Sequence, residues 1–305
     1  MAKKKNTTIK IEDLLTHTES LFRHVHMVSQ DLGLVPKKEH TAAAIAYTDI
    51  RPRVDQFLRE LKGTVTSWVY SKATSKKLLE DKLNETNDMG NAAEFLTRLA
   101  HSKFRKGHPQ GQFGELLLFN FLQHLFQAVP ILRKMPVTTS PGHERFGADA
   151  LHYKNEGSSH KIILGESKCY ESKYKFKTAF EKSLVSIIDS FNNLDNELHQ
   201  FVCDEFIEEP LLTIAKNYKD NKLANVQYEL TSIIIYNETS ELGHLKNETQ
   251  IHNEIVRIIK EKCGGIEDKT YKIASANVLD RINYIIFPVW KLDELLNKFD
   301  SSLGI

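Results

Sequence analysis

The sequence has few cysteines, no long apolar run and no nucleotide-binding loop, and each absence excludes a class of protein. Its three cysteines, Cys169, Cys203 and Cys263, are widely spaced and odd in number, which favours reduced thiols in a cytosol over a disulfide framework or a zinc site. No segment approaches the roughly 20 apolar residues that span a bilayer, so no membrane contact is expected. The residues from Met1 to Thr8 are basic and polar, so no signal peptide is expected. The motif G-x-x-x-x-G-K-[ST] is missing, which argues against nucleotide hydrolysis through a P-loop.

What the chain does have is an ordinary globular composition and an uneven charge distribution. Of its 305 residues, 41% are hydrophobic and 27% are charged, as in a soluble protein of one large domain or two smaller ones. Residues 1–108 carry 19 Lys and Arg against 13 Asp and Glu, residues 109–205 carry 10 against 12, and residues 206–305 carry 12 against 15. The first third is therefore the candidate for contact with phosphates or an acidic partner, and a solvated basic surface is the alternative.

Apolar residues recur at helical spacing through the first third of the chain, as in Phe57, Leu58, Leu61 and Val65. A cluster of helix breakers from Gly107 to Gly111 follows and marks the best boundary. We therefore expect a helical N-terminal region over residues 1–108, which contacts a partner or nucleic acid. A second domain is expected over residues 109–305, with its core at 111–202 and C-terminal strands and helices at 206–305.

Helical and strand patterns alternate along this second domain. The order of these patterns predicts an α/β fold, a mixed sheet flanked by helices. The predicted elements are a buried helix from Phe113 to Phe126, strands from Ile131 to Val137, Asp149 to Tyr153 and Ile162 to Tyr170, a helix from Thr178 to Val202, a strand from Thr231 to Tyr236, a helix from Ile251 to Lys262, a strand from Ile282 to Val289 and a helix from Leu292 to Phe299.

Charged residues interrupt two of the predicted strands. Glu166 and Lys168 follow the apolar run Ile162 to Leu164, and because strand side chains alternate, both project to the same side. Asp149 stands at the start of the preceding strand, and a hairpin would bring it near Glu166. An Asp followed by Glu-x-Lys on the neighbouring strand is the arrangement that a metal-dependent phosphodiesterase needs.

Hydrolysis of a phosphodiester requires an activated water and relief of charge on the phosphate, which divalent cations supply. Mg²⁺, or Mn²⁺, takes oxygen ligands, and Asp149, Glu166 and the backbone carbonyl of Ser167 are the candidates. Lys168 would orient the attacking water or stabilise developing charge. Glu115 lies within an apolar helix, where an unpaired carboxylate is costly to bury, so we expect it to point at the metal site or at Lys168.

The alternative without a functional role is that Glu166 and Lys168 form a cross-strand ion pair on an exposed sheet face. Four observations favour the metal site instead. The strand before Glu166 is wholly apolar and so indicates a central strand, the two strands form a predicted hairpin, Glu115 interrupts the helix upstream, and an amphipathic helix follows the Glu-x-Lys strand.

The order helix-Glu, strand, strand-Asp, strand-ExK, helix over residues 111–202 resembles the core of the PD-(D/E)xK nuclease superfamily, the restriction-endonuclease-like fold. This resemblance implies that Asp149, Glu166 and Lys168 are the catalytic set and that Glu115 is the accessory carboxylate on the helix. The chain departs from the motif at Ala148, where the superfamily pattern has Pro, although that position varies widely.

Three segments, G-Q-F-G-E-L-L-L, H-E-R-F-G-A-D-A-L-H and L-G-E-S-K, resemble more specifically the HamA family, the nuclease effector subunit of the Hachiman anti-phage defence system. The similarity spans most of the chain. It implies a DNA-degrading effector in the bacterial cytoplasm, in a heterodimer with a superfamily-2 helicase. That partner would sense aberrant or invading DNA and license the nuclease.

Basic and aromatic residues alternate directly after the Glu-x-Lys strand. Lys173, Lys175 and Lys177 would lie on one side of an extended segment, next to the site, and could follow a nucleic-acid backbone. Arg145, near the Asp149 strand, is a further candidate for phosphate contact. The alternative is an ordinary solvated loop.

Two other functions stay open at this level. A restriction or repair nuclease of the same fold would need its own reading module, and no recognisable helix-turn-helix is present. A non-catalytic adaptor that binds DNA or a partner would gain nothing from carboxylates that repel phosphate. A Mg²⁺-dependent deoxyribonuclease is therefore the favoured hypothesis.

Overall fold

The computed structural model describes residues 10–104, 109–132, 147–170, 176–194 and 208–304. Its strands are β1 (Val25–Asp31), β2 (Glu39–Ile45), β3 (Tyr47–Thr48), β4 (Arg51–Pro52), β5 (Val129–Leu132), β6 (Ala150–Asn155), β7 (His160–Tyr170), β8 (Val226–Glu238) and β9 (Ile282–Trp290). Its α-helices are α1 (Glu19–Phe22), α2 (Val54–Gly63), α3 (Val65–Val69), α4 (Lys72–Thr86), α5 (Met89–His101), α6 (Pro109–Phe126), α7 (Phe176–Asn192), α8 (Glu209–Lys219), α9 (Glu248–Gly264), α10 (Ala276–Leu279) and α11 (Leu292–Leu303).

Within these ranges, seven strands form one mixed sheet in the order β1-β2-β9-β8-β7-β6-β5. The centre is parallel, since β7 pairs with β8, β8 with β9 and β9 with β2 in the same direction. Antiparallel hairpins, β1–β2 and β5–β6–β7, complete the two edges. Parallel neighbours need a long crossover, and helices α7 and α9 lie in the two crossovers of the centre. The predicted mixed sheet flanked by helices is confirmed.

Helices cover both faces of the sheet, and the alternation of strand side chains divides the core in two. On one face Leu164 and Ile234 pack against apolar residues of α7 and α9. On the other face Ile163 and Ile233 pack against α2, α6 and α11. Strands buried on both faces are apolar at consecutive positions, which explains the continuous hydrophobic runs of β7, β8 and β9.

The first 108 residues are not wholly helical, and this corrects the prediction for that region. Helices α2 to α5 follow the predicted pattern, but β1 and β2 form a hairpin, and β2 pairs with β9 of the main sheet. The alanines of β2, Ala42, Ala43 and Ala44, are buried. Alanine favours helix by itself, and burial on both faces hides the alternation that identifies a strand. Packing against β9 therefore decides the conformation of this segment.

Most elements after residue 109 have the predicted type. Helices α6, α7, α9 and α11, strands β8 and β9, and the β6–β7 hairpin all match, whereas the sequence pattern does not predict α8. The predicted strand beyond Leu132 and the predicted helix beyond Leu194 lie outside the described residues. Among the residues that are described, no helix has both the length and the apolar character needed to cross a bilayer.

Gly165 lies on β7 under α6, where no side chain fits. A Cβ atom at Gly165 would lie 2.9 Å from Leu118 Cδ2, 3.0 Å from Leu122 Cδ1 and 3.1 Å from Ala150 Cβ, closer than the separation of packed carbon atoms. We expect Gly165→Ala to lower the free energy of unfolding by about 1–3 kcal/mol, because α6 must shift away from the sheet. Urea denaturation measures this loss.

Gly63→Ala is the matched control, since Gly63 ends α2 and a Cβ atom there would contact nothing within 4 Å. That variant should be at least as stable as the natural protein, because alanine favours helix more than glycine does. Equal stability of the two variants would show that α6 does not press on β7 at Gly165.

His40 of β2 is buried, with a hydrogen bond at each ring nitrogen. Its Nε2 donates to the Pro36 carbonyl at 3.0 Å, and its Nδ1 accepts from the Tyr284 N–H at 3.3 Å. Burial lowers the pKa of His40 from 6.5 to about 4, although the Pro36 carbonyl opposes the shift. Acceptance at Nδ1 requires the neutral imidazole with its proton on Nε2, because both nitrogens of an imidazolium are donors.

The low pKa of His40 predicts a loss of stability in acid. The unfolded chain binds the proton near pH 6.5 and the folded protein only near pH 4, so the contribution of His40 is present above pH 6.5 and disappears as the pH falls to 4. As the pH falls from 6.5 to 4, the free energy of unfolding should decrease less steeply in His40→Gln than in the natural protein. The two slopes should differ by up to about 1.4 kcal/mol per pH unit. Chemical denaturation at several pH values compares the slopes, and equal slopes would contradict the assignment.

Candidate active site

The β6–β7 hairpin brings Asp149 and Glu166 together, as the sequence predicts. Ala150 pairs with Gly165, and Asp149 directly precedes β6, so Asp149 lies opposite Glu166. The Oδ2 atom of Asp149 accepts hydrogen bonds from the Ser167 N–H at 2.9 Å and from the Ser167 hydroxyl at 3.1 Å. These donors hold the Asp149 carboxylate at the end of the hairpin, beside the Glu-x-Lys segment.

Glu166 is the buried centre of the site. Only 3% of the residue is exposed, and its Oε1 atom accepts from Lys168 Nζ at 2.7 Å and from Ser186 Oγ of α7 at 2.6 Å. The second oxygen, Oε2, is also buried and accepts no hydrogen bond from any residue that the structure describes. Lys168 is the more exposed partner, with 26% of its side chain accessible against 4% for Glu166.

Burial and like charge govern the protonation of this group of side chains. Burial raises the pKa of Glu166 and the Asp149 carboxylate raises it further, whereas Lys168 and the Ser186 hydroxyl oppose the increase. Burial lowers the pKa of Lys168, but the attraction of Glu166 and of Asp149 outweighs it and holds the pKa above its ordinary value. Lys168 therefore keeps its proton. With both carboxylates ionised the site has a net negative charge and attracts a cation.

The alternative of an exposed surface ion pair is inconsistent with this geometry. Glu166 is in the interior, on a strand with neighbours on both sides, and a third charged group, Asp149, acts on both members of the pair. Burying a second carboxylate beside an ion pair costs stability. Such an arrangement is typical of a site whose charges serve a ligand or a reaction.

The two helices beside the site lie on opposite faces of the sheet. Glu166 faces α7, as its hydrogen bond to Ser186 shows. Ser167 faces α6, because a Cβ atom on Gly114 of α6 would lie 3.1 Å from the Ser167 hydroxyl. Glu115, which follows Gly114, is half-buried on α6. Its orientation toward the metal site or toward Lys168 stays a prediction.

The residues of the site fit a hard divalent cation. A buried carboxylate oxygen without a donor is costly, and contact with a cation would satisfy the Oε2 atom of Glu166. The described part of the chain holds no group of three or more His, Cys, Asp and Glu side chains placed for a metal ion. Mg²⁺ needs only one or two carboxylates and completes its shell with water and backbone oxygen. Asp149 and Glu166, with the carbonyl of Ser167 as a predicted third ligand, supply such a set.

The predicted phosphate-contact residues are mostly outside the described ranges. Arg145, Lys173 and Lys175 belong to that group. Lys177 lies in the first turn of α7, not in an extended segment, and its ammonium group pairs with Glu267. The expectation of an extended basic ridge therefore does not hold at Lys177, and its contact with a phosphate stays a prediction.

The sequence pattern does not identify two residues of α7 that lie beside the site. Ser186 binds Glu166, and the ammonium of Lys182 lies 5.7 Å from the centre of the Tyr170 ring at the end of β7. The two residues are four positions apart and so share one side of the helix. In the sequence, Ser186 could have been noticed as a polar residue on the inward side of an amphipathic helix. Only the packing of α7 on β7 shows that it contacts Glu166.

This chain is similar to solved structures and to one family of known proteins. Restriction endonuclease FokI is similar with a TM-score of 0.24 and 9% identity, over 76% of this chain and 31% of that one. FokI bound to DNA gives a TM-score of 0.22 and 10% identity, over 67% and 27%. The chain thus spans less than a third of the length of those endonuclease chains. No curated protein matches it. The model of one family, HamA, matches residues 20–303, and the chain therefore belongs to the HamA family.

Proposed function

We propose that this protein is a metal-dependent DNA endonuclease, the effector of an anti-phage defence system in the bacterial cytoplasm. Membership of the HamA family and the mixed α/β fold support a nuclease role in defence. The single observation that carries the proposal is the arrangement of Asp149, Glu166 and Lys168. Two carboxylates lie opposite each other at one end of the β6–β7 hairpin, and one of them is bound to a lysine ammonium while its second oxygen lacks a donor among the described residues.

Each side chain of the site has its own proposed role in phosphodiester hydrolysis. Asp149 and the Oε2 atom of Glu166 would hold Mg²⁺ or Mn²⁺, with the Ser167 carbonyl as a further ligand. Ser167 keeps Asp149 in place through its N–H and hydroxyl donors. Lys168 projects farther from the interior than Glu166, so its ammonium can contact the attacking water or a phosphate oxygen. Glu115 is proposed as the accessory carboxylate.

A bound divalent cation supplies charge neutralisation at the phosphate and lowers the pKa of a coordinated water. The protein contributes orientation and a low-dielectric setting for these charges. Lys168 can contact the attacking water or the phosphate only while Glu166 holds its ammonium in place, because a lysine side chain is long and flexible. We also propose that Arg145, Lys173, Lys175 and Lys177 bind the DNA backbone.

Substitution of Glu166 or Lys168 should abolish cleavage of DNA. Glu166→Gln removes the negative charge that binds the cation, and Lys168→Met removes the ammonium while keeping most of the side-chain volume. We expect activity on supercoiled DNA in Mg²⁺ to fall at least about 100-fold in each variant. Agarose gel electrophoresis measures the loss, and EDTA should abolish cleavage by the natural protein.

Lys161→Ala is the matched control for these variants. Lys161 lies on the same strand but at its other end, where it forms partly buried ion pairs with Glu156 and Glu229. Because its removal leaves the contacts of Glu166 and Lys168 intact, this variant should cut DNA at nearly the normal rate. Undiminished cutting by both site variants would refute the nuclease centre, and binding of DNA without any cleavage by the natural protein would favour the adaptor.

We further propose that a superfamily-2 helicase partner restrains the nuclease and licenses it on aberrant DNA. Support for the partner comes from the resemblance to the Hachiman nuclease subunit. The physical reason for restraint is that an unselective nuclease in the cytoplasm would degrade the host chromosome. The partner and DNA are therefore both proposed ligands of this chain.

The isolated chain should cleave DNA weakly, and addition of the cognate helicase with ATP should increase cleavage at least about tenfold, the scale of a typical regulatory coupling. Supercoiled, nicked and linear DNA are compared in Mg²⁺ with and without the helicase. Vigorous degradation by the chain alone at physiological salt would contradict control by a partner. A fixed recognition sequence in the products would favour a restriction enzyme.

A further inference from the structure

Ser186 of α7 contacts the proposed metal site without being one of its ligands. Its hydroxyl donates to Glu166 Oε1 at 2.6 Å. Lys168 Nζ approaches the same oxygen at 2.7 Å. Two donors therefore meet at one carboxylate oxygen, and the other oxygen, Oε2, is buried and accepts no hydrogen bond from a described residue. This asymmetry orients the carboxylate.

The position of Ser186 follows from the way α7 lies on the sheet. Ser183, Ser186 and Ser190 recur at intervals of three and four residues, so these small side chains lie along one side of the helix. Ser183 and Ser190 are buried, and Ser183 forms a hydrogen bond with Ser232 of β8. Because Ser232 pairs with Glu166 across the two strands, this contact fixes the helix beside the Glu166 side chain.

We propose that Ser186 is a positioning residue that holds one oxygen of Glu166 so that the other oxygen is directed at the cation. This proposal rests on the proposed function, because it assumes that Glu166 is a metal ligand. Lys168 alone is an inadequate orienting group, since an ammonium can contact either or both oxygens of a carboxylate. The oxygen of Ser186 is separated from the helix backbone by a single rotatable bond, so its position is better defined than that of an ammonium on a long lysine side chain, and hydrogen bonds of this kind to metal-binding carboxylates commonly govern affinity.

Removal of the Ser186 hydroxyl should weaken binding of the cation. Glu166 would then be free to rotate about its terminal bond and to present both oxygens to Lys168. We expect Ser186→Ala to bind Mn²⁺ about 10- to 100-fold more weakly than the natural protein. Ser186→Thr keeps the hydroxyl and should restore most of the affinity. Electron paramagnetic resonance of free Mn²⁺, with the full chain and without DNA, measures binding independently of activity.

Ser190→Ala is the matched control, because it removes a hydroxyl from the same side of α7 one turn beyond Ser186. Its Mn²⁺ affinity should equal that of the natural protein, and circular dichroism should show all variants folded. Loss of affinity in Ser186→Ala, with normal affinity in Ser186→Thr and Ser190→Ala, supports the proposal. If Ser186 had a purely structural role, Ser190→Ala would also bind Mn²⁺ more weakly, or Ser186→Thr would not restore the Mn²⁺ affinity.

Failure of this inference and failure of the proposed function give different results. Normal Mn²⁺ affinity in Ser186→Ala, with loss of binding in Glu166→Ala, would overturn only the role of Ser186. Equal affinity in the natural protein and Glu166→Ala would overturn the metal site itself, and the positioning role would fall with it.

Discussion

The candidate site depends on the burial of β7 on both faces. Side chains of successive residues must enter different cores, so Ile163 and Leu164 pack under helices on opposite sides of the sheet. The same alternation continues past the apolar run. It directs Glu166 and Lys168 to the side of α7 and Ser167 to the side of α6. A slip of one residue in this register would reverse every one of these contacts.

Placing carboxylates at this point of the fold opposes stability. Glu166 is surrounded by protein, and Asp149 adds a like charge, while Lys168 compensates only one of them. The surrounding hydrophobic layers tolerate this arrangement because they hold the strands independently of it. Donors from the backbone and hydroxyls of Ser167 and Ser186 orient the charges that remain. A preorganised negative site of this kind would bind the proposed cation with little rearrangement of the protein.

Much of the site could be predicted from sequence because its residues are close together along the chain. Asp149, Glu166 and Lys168 belong to one hairpin, whose strands are apolar and whose turn is short, so local pattern and spacing define it. Ser186 belongs to the next element, and its meeting with Glu166 depends on the rotation of α7 over the sheet. The edge hairpin containing Ala42 to Ala44 was missed for a related reason. Its pairing partner, β9, is more than 200 residues away along the chain, and local propensity favours a helix.

The sequence by itself determined which residue types stand in the site and which strands carry them. Hydrophobic periodicity, turns and the placement of charged residues are local properties, and they define the β6–β7 hairpin and the helices on either side. The tertiary structure alone decided which oxygen of Glu166 has no donor among the described residues, which hydroxyl contacts Glu166, and how the N-terminal hairpin extends the sheet. These features depend on contacts between segments that are distant in the chain. Such contacts form only when the helices pack on the sheet and bury Glu166 between them.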